Sequence, residues 1–156
     1  MLNSYTIYTD GSDLKHTTKR MGIGGILVND RGKEIKRFSI ELDRDYIFKL
    51  YQTRDCSNPF AEMVAVKEAL LYFSDYIDEP AEITFKCDYM GVISWINGEW
   101  KAKAYYIKQV KEEIISLLEE QKNWVVKFEW IKGHLSIMDK DSYFNNLVDK
   151  LAKGKI

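Results

Sequence analysis

The sequence predicts one α/β domain, residues 1–156, with a five-stranded mixed sheet flanked by helices. Short runs of β-branched and aromatic residues alternate with longer stretches in which apolar residues recur at helical spacing. The predicted order of elements is β-β-β-α-β-α-α-β-α. A length of 156 residues, 46% of them hydrophobic, suits one domain with a substantial core.

The first three predicted strands follow one another closely along the chain. Residues 6–9 form a short strand that ends in the turn Asp10-Gly11-Ser12. Residues 21–28 form a glycine-rich second strand, and a turn at residues 29–32 leads into an alternating third strand at residues 33–42. Short connections of this kind join antiparallel strands, so we expect these three strands to be antiparallel neighbours.

The next segment contains a loop and a helix. Residues 43–57 mix polar and aromatic side chains without a clean period, so we expect a loop or a short irregular insertion there. A helix begins at Asn58-Pro59, because asparagine is a good N-cap and proline suits the first helical position. Residues 78–80 end it. Its core-facing residues recur at helical spacing and are Met63, Val66, Leu70, Phe73 and Ile77.

The second half of the chain predicts parallel strands. The fourth strand covers residues 82–87 and the fifth covers residues 124–131. Helices are predicted between them, at residues 89–97 and 105–121, and after them at residues 143–151. Each of these two strands follows a helix, which favours parallel pairing through right-handed crossovers.

Composition narrows the class of protein. The formal net charge of −1 argues mildly against a nonspecific nucleic-acid binder, although carboxylates at a site can mask a local basic patch. The chain has no run of about 18 apolar residues, and its N-terminus lacks the apolar region of a signal peptide, so we expect no membrane span. Cys56 and Cys87 are far apart, in no metal-ligand or redox spacing, and we expect reduced thiols in a cytoplasmic protein.

Four acidic residues stand where metal-dependent phosphodiester chemistry requires them. Asp10 and Asp88 each end a predicted strand, and in neighbouring parallel strands they would lie side by side at the carboxyl edge of the sheet. Glu62 lies in the first turns of one helix, and Asp149 lies on the final helix. Four clustered carboxylates would be stabilised by hard cations, and a pair of ions can clamp both reacting oxygens of a phosphate. Taken singly, each residue also has an ordinary interpretation as a turn residue, a partner of a helix dipole or a solvated carboxylate.

Five segments carry a resemblance to a known family. They are residues 8–12 (YTDGS), 58–62 (NPFAE), 87–88 (CD), 128–134 (FEWIKGH) and 145–152 (NNLVDKLA). With these segments in this order, the chain resembles a type 1 ribonuclease H, a metal-dependent nuclease that cuts the RNA strand of RNA–DNA hybrids, over residues 5–153. Residues 88–92 and 95–102 resemble a bacterial and viroplasmin-like branch of that family. The resemblance implies the ribonuclease H-like fold.

The resemblance also implies a catalytic mechanism. It implies that Asp10, Glu62, Asp88 and Asp149 bind two Mg²⁺ ions, with Mn²⁺ as a possible substitute, and that the products carry 5′-phosphate and 3′-hydroxyl ends. His134 occupies the family's loop histidine position, where it would assist proton transfer or product departure; histidine titrates near neutrality, which suits such a role. From spacing alone, His134 would be an ordinary surface histidine.

Substrate-binding residues follow from the same resemblance. Gly11, Ser12 and Asn58 would contact the minor groove, where the 2′-hydroxyl distinguishes RNA from DNA; Asn58 alternatively acts only as a helix cap. Lys101 and Lys103, with Lys108 and Lys111 nearby, would hold phosphates of the DNA strand or simply form a solvated surface. Of two nearby tryptophans, we expect Trp95 to pack in the core, while the position of Trp100 is open. These seven candidate substrate contacts are Gly11, Ser12, Asn58, Lys101, Lys103, Lys108 and Lys111.

Two other functions are compatible with the same sequence. One is a noncatalytic nucleic-acid-binding domain of the same fold, against which the presence of all four carboxylates counts. The other is a related metal nuclease that acts on DNA junctions or ends. In each case we expect a monomer whose partner is a nucleic acid.

Overall fold

The computed structural model describes residues 2–14, 20–78, 80–133 and 139–156. Within these residues the strands form one five-stranded sheet in the order β3-β2-β1-β4-β5. β1 is antiparallel to β2 and β2 to β3, whereas β4 is parallel to both β1 and β5. This confirms the predicted mixed sheet. The strands are β1 (Asn3–Asp13), β2 (Arg20–Asn29), β3 (Glu34–Asp43), β4 (Ala81–Cys87) and β5 (Trp124–Trp130).

Helices cover both faces of the sheet. The helices are α1 (Arg44–Tyr51), α2 (Asn58–Phe73), α3 (Met90–Ile96), α4 (Tyr105–Glu120) and α5 (Lys140–Ala152), with a 3₁₀ turn at Ser74–Tyr76. α2 packs on β1 and β2 and is itself covered by α4, whereas α5 packs on β1, β2 and β3. The buried residues accordingly form a large core around α2 and a smaller one under α5, where the rings of Tyr8 and Phe144 stack.

Strand β1 is longer than the sequence predicts. The prediction that it ends at Asp10 is wrong, because β1 continues to Asp13. The antiparallel ladder with β2 runs on past this point, with Asp10 opposite Gly24 and Asp13 opposite Met21. Residues 10–13 are therefore paired with β2 rather than forming a turn, and Asp10 stands inside a rigid element.

The predicted loop at residues 43–57 contains a helix. α1 is capped by Asp43, whose carboxylate accepts a hydrogen bond from the Tyr46 backbone N–H at 2.8 Å. Only two residues of α1, Ile47 and Tyr51, are buried. They are four positions apart, but exposed apolar residues between them hide the helical period in the sequence. The left-handed conformation of Gln52, with φ of 54°, ends the helix.

The start of α2 also differs from the prediction. Asn58 is not the N-cap: Ser57 holds that position, and Asn58 is the first helical residue. The Asn58 side chain instead accepts a hydrogen bond from the Asp13 backbone N–H, at 2.7 Å from Oδ1. This bond ties the end of β1 to the start of α2. The predicted core-facing residues of α2 are buried as expected, with Ile77 lying beyond the 3₁₀ turn.

The remaining predicted elements agree with the structure to within a few residues. Cys56 and Cys87 are both free and buried. No helix in the described part of the chain combines the length and apolarity needed to cross a bilayer.

Candidate metal centre

Three of the four predicted carboxylates meet at one edge of the sheet. Among the described residues, Asp10, Glu62 and Asp88 each offer a carboxylate oxygen, and these oxygens lie within 4.8 Å of one another. Strand register explains two of them. The last paired residues of β1 and β4 are Tyr8 and Lys86, and Asp10 and Asp88 each follow two residues later. The third, Glu62, comes from the first turns of α2.

Gly11 allows α2 to approach the sheet at this edge. A Cβ atom at Gly11 would lie 2.2 Å from the Ala61 carbonyl carbon and 2.4 Å from the Glu62 backbone nitrogen. Any side chain there would therefore separate β1 from α2. The same contact orients the third carboxylate, because the Gly11 N–H donates a hydrogen bond to Glu62 Oε1 at 2.9 Å.

The cluster is buried and electrostatically crowded. Asp10 and Glu62 are each only 5% exposed. Burial, followed by repulsion from Asp88, raises the pKa of Asp10 to about 8, although a hydrogen bond with Glu62 acts in the opposite direction. Burial and the neighbouring Asp10 raise the pKa of Glu62 well above its usual value. Such a cluster is costly for the protein alone, and a divalent cation with oxygen ligands would relieve it.

The cluster forms one wall of an open cavity of about 380 Å³. The predicted substrate contacts Gly11, Ser12 and Asn58 line this cavity. Tyr89 and Gly133 line it as well. Neither of these two residues was predicted from the sequence to belong to the site.

Asp149 lies in the same cavity but outside the group of three. Its carboxylate accepts a hydrogen bond at 3.1 Å from Nζ of Lys153, the residue that follows the end of α5. A hydrogen bond with Asp149, together with repulsion from its charge, contributes to the raised pKa of Asp10, so the two carboxylates lie close together. Lys153 was not predicted to belong to the site, although its i,i+4 spacing from Asp149, just beyond the end of the predicted helix, was a visible signal.

The predicted basic residues lie apart from the cavity. Lys101 and Lys103 are exposed in the segment that precedes α4, and Lys108 is exposed on α4. Near them, Trp95 packs against the large core, as predicted, while Trp100 is 45% exposed.

His134, the predicted loop histidine, lies outside the residues that the structure describes. Its predicted role remains a prediction from the sequence.

Comparison with known proteins gives a family and a fold. The family model described as RNase H matches residues 2–156. RNase H1 from the archaeon Halobacterium salinarum is similar in structure, with a TM-score of 0.72 and 18% identity, covering 97% of this chain and 96% of that one. The RNase H domain of prototype foamy virus has a TM-score of 0.64 and 22% identity, covering 99% and 95%.

A third similar structure contains a nucleic acid. LC11-RNase H1, isolated from compost by a metagenomic approach, was solved in complex with an RNA/DNA hybrid. It matches with a TM-score of 0.69 and 20% identity, covering 97% of this chain and 96% of that one. Among curated protein sequences, none matches this chain.

Proposed function

The chain belongs to the RNase H family, and we propose that it is an endonuclease that hydrolyses the RNA strand of RNA–DNA hybrids with the help of divalent metal ions. One observation carries the proposal: Asp10, Glu62 and Asp88 bring their carboxylate oxygens within 4.8 Å of one another in an open cavity. The hybrid bound by LC11-RNase H1 supports the choice of substrate.

The residues of the cavity fit Mg²⁺. All three clustered groups are carboxylates, which are hard oxygen ligands, and Mg²⁺ needs only a few of them because it retains water and substrate oxygens. The raised pKa values of Asp10 and Glu62 are further support, since they reflect the burial of these carboxylates and, after it, repulsion from their acidic neighbours. We propose Asp10, Glu62, Asp88 and Asp149 as the ligands of two ions, with Mn²⁺ as a substitute.

The chain's own residues would position the reactants. Asp10 is held inside β1 and Glu62 is fixed by the Gly11 N–H, so both carboxylates are preorganised before substrate arrives. When bound, a pair of Mg²⁺ ions supplies activation of the attacking water and stabilisation of the departing 3′ oxygen. The products of such a cleavage would be 5′-phosphate and 3′-hydroxyl ends.

Recognition of RNA would fall to the edge of the cavity. Because Asn58 Oδ1 accepts the Asp13 N–H, its Nδ2 amide is the group that remains to donate to a substrate hydroxyl. We propose that Asn58, Gly11 and Ser12 contact the minor groove at the 2′-hydroxyls. The exposed Lys101 and Lys103 would bind phosphates of the DNA strand. His134 would assist proton transfer or product release.

A cleavage assay tests the function directly. A hybrid labelled at one end of the RNA strand would be incubated with the protein and Mg²⁺, Mn²⁺ or EDTA, beside double-stranded RNA and DNA. We expect metal-dependent cuts in the RNA of the hybrid alone, with 5′-phosphate products. Asp10→Asn should abolish cleavage while leaving the fold intact, and undiminished activity in this variant would refute the assignment of the site.

The assay also separates the two other functions. Binding of the hybrid without cleavage under any metal condition would identify a noncatalytic domain, and preferential cutting of DNA would identify a DNA nuclease. We further propose a cytoplasmic monomer. Its buried free thiols are typical of a reducing compartment, and light scattering on the purified protein would measure its mass.

A further inference from the structure

Asp88 is attached to the fold differently from the other two clustered carboxylates. Asp10 stands within the β1–β2 ladder, and Glu62 stands within α2 and accepts the Gly11 N–H. Asp88 instead follows the last residue of β4, before α3 begins at Met90. Secondary structure therefore restrains Asp88 least of the three, although its carboxylate must keep a fixed distance from the other two.

Two side chains from later elements hold Asp88 in place. Asn145 of α5 donates from Nδ2 to Asp88 Oδ2 at 3.4 Å. Trp130, the last residue of β5, donates from Nε1 to the Asp88 backbone carbonyl at 3.1 Å. The Asn145 bond lies at the long end of the range for such hydrogen bonds.

The burial of Asn145 is costly without such a role. This residue is only 3% exposed and lies on the face of α5 that packs against the sheet, next to Phe144 and near Val148. A buried amide destabilises a fold unless it is hydrogen-bonded, and asparagine is a poor residue inside a helix. The Asp88 carboxylate is a strong acceptor for such an amide, since hydrogen bonds to charged groups contribute more than those between neutral groups.

Gly133 leaves room for the Asp88 carboxylate on a further side. A Cβ atom at Gly133 would lie 2.8 Å from Asp88 Oδ2. Any side chain at residue 133 would therefore collide with this carboxylate. Two residues earlier, the Ile131 N–H donates to the Cys87 carbonyl at 2.9 Å. β5 and the residues that follow it thus confine Asp88 while α5 supplies a donor.

We propose that Asn145 and Trp130 are positioning residues that hold Asp88 at the spacing from Asp10 and Glu62 that a divalent cation requires. Neither residue is assigned as a metal ligand. Partners that orient metal-binding side chains in this way commonly change metal affinity 10- to 100-fold when they are removed. The inference rests on the proposed function, because it concerns metal binding at the same cluster.

Calorimetric titration of the EDTA-stripped, full-length protein with Mn²⁺, without nucleic acid, tests the inference. Asn145→Leu removes the donor while retaining the branched shape, and we expect roughly 10-fold weaker binding or more. Trp130→Phe retains an aromatic ring without its N–H, and we expect binding about 3- to 10-fold weaker, as for loss of one hydrogen bond. Asn146→Ala, its half-buried neighbour on α5, is the matched control and should bind Mn²⁺ as the wild type does.

A double-mutant cycle separates positioning from a general structural effect. If Asn145 acts through Asp88, then Asn145→Leu should weaken binding less than about 2-fold in an Asp88→Asn background. An equal loss in both backgrounds would overturn the inference, as would unchanged affinity in the single variants. Should Asn145→Leu fail to fold, Asn145→Ala and Trp130→Phe decide the question, because Trp130 is 45% exposed and its replacement leaves the core intact.

The proposed function can fail separately. If the wild-type protein itself binds no Mn²⁺ or Mg²⁺, the metal site is wrong. If the wild type binds metal and all variants bind it equally, only the positioning role is wrong.

Discussion

The metal-free protein carries an electrostatic cost at its carboxylate cluster, and we predict that Asp10→Asn stabilises it. Asp10, Glu62 and Asp88 are held within 4.8 Å of one another, and Asp10 is almost fully buried. An asparagine has nearly the same shape and no charge. It therefore removes both the burial of the charge and the repulsion from its neighbours.

The magnitude follows from the pKa of Asp10, which burial and then Asp88 raise from 3.8 to about 8. At roughly 1.4 kcal/mol per pKa unit, the penalty at pH 7 reaches about 4 kcal/mol as an upper limit. In the wild type, one proton bound anywhere in the cluster reduces the repulsion among all three carboxylates. In the variant, the asparagine amide at residue 10 loses some of the hydrogen bonding of the carboxylate. We therefore expect a net gain of about 1–3 kcal/mol, or a melting temperature higher by about 3–10 °C.

The pH dependence has a defined sign. A carboxyl with a raised pKa in the folded protein incurs no penalty below its unfolded pKa, and the penalty grows as pH rises towards the folded pKa. The difference in melting temperature between variant and wild type should thus be near zero at about pH 4 and largest at about pH 8. Differential scanning calorimetry in EDTA measures it.

Asp141→Asn is the matched control because the same substitution should act in the opposite direction. Burial tends to raise the pKa of Asp141, but hydrogen bonds from Tyr8 and Lys86 outweigh it, and the pKa is lowered. This variant should be less stable than the wild type at neutral pH, with the difference disappearing in acid.

If Asp10→Asn melts at or below the wild-type temperature in EDTA at pH 8, the reasoning about the cluster is refuted. Adding Mg²⁺ should stabilise the wild type more than the Asp10→Asn variant.

Three further changes have defined outcomes. Gly11→Ala should cost roughly 1–3 kcal/mol of stability and most of the cleavage activity, because the added Cβ would overlap the Ala61 backbone. Thermal melts measure the stability and hybrid cleavage measures the activity. A fully active variant would contradict the close packing of α2 against β1. His134→Ala should slow single-turnover hybrid cleavage by up to about 100-fold without removing it, and an unchanged rate would make His134 an ordinary surface residue. Replacing both Lys101 and Lys103 by alanine should raise KM for the hybrid about 10-fold with little change in kcat, whereas an unchanged KM at low and high salt would exclude a phosphate contact.

Much of the fold was predictable because its signals are local. The short links between β1, β2 and β3 indicated antiparallel pairing, and the helices before β4 and β5 indicated parallel pairing. α1 was missed because Ile47 and Tyr51 are its only buried residues, too few to show a period.

The errors at the site have a different origin. Asp10-Gly11-Ser12 is a common turn sequence, and only the partner strand β2 shows that it continues a strand. Asn58 has the residue type of a cap, but the approach of Asp13 gives its side chain another partner. In both cases an interaction with a segment distant in sequence outweighed a local preference.

The sequence by itself determined most of the helices and strands and which acidic residues are available to a metal, because residue spacing and chemistry are properties of the chain alone. Only the tertiary structure decided that Asp10, Glu62 and Asp88 share one edge of the sheet and that Asp149 lies in the same cavity. Only the tertiary structure placed Asn145 against Asp88, 57 residues earlier in the chain. Distances, burial and the pKa shifts that burial produces arise where separate elements pack together, and no local pattern specifies them.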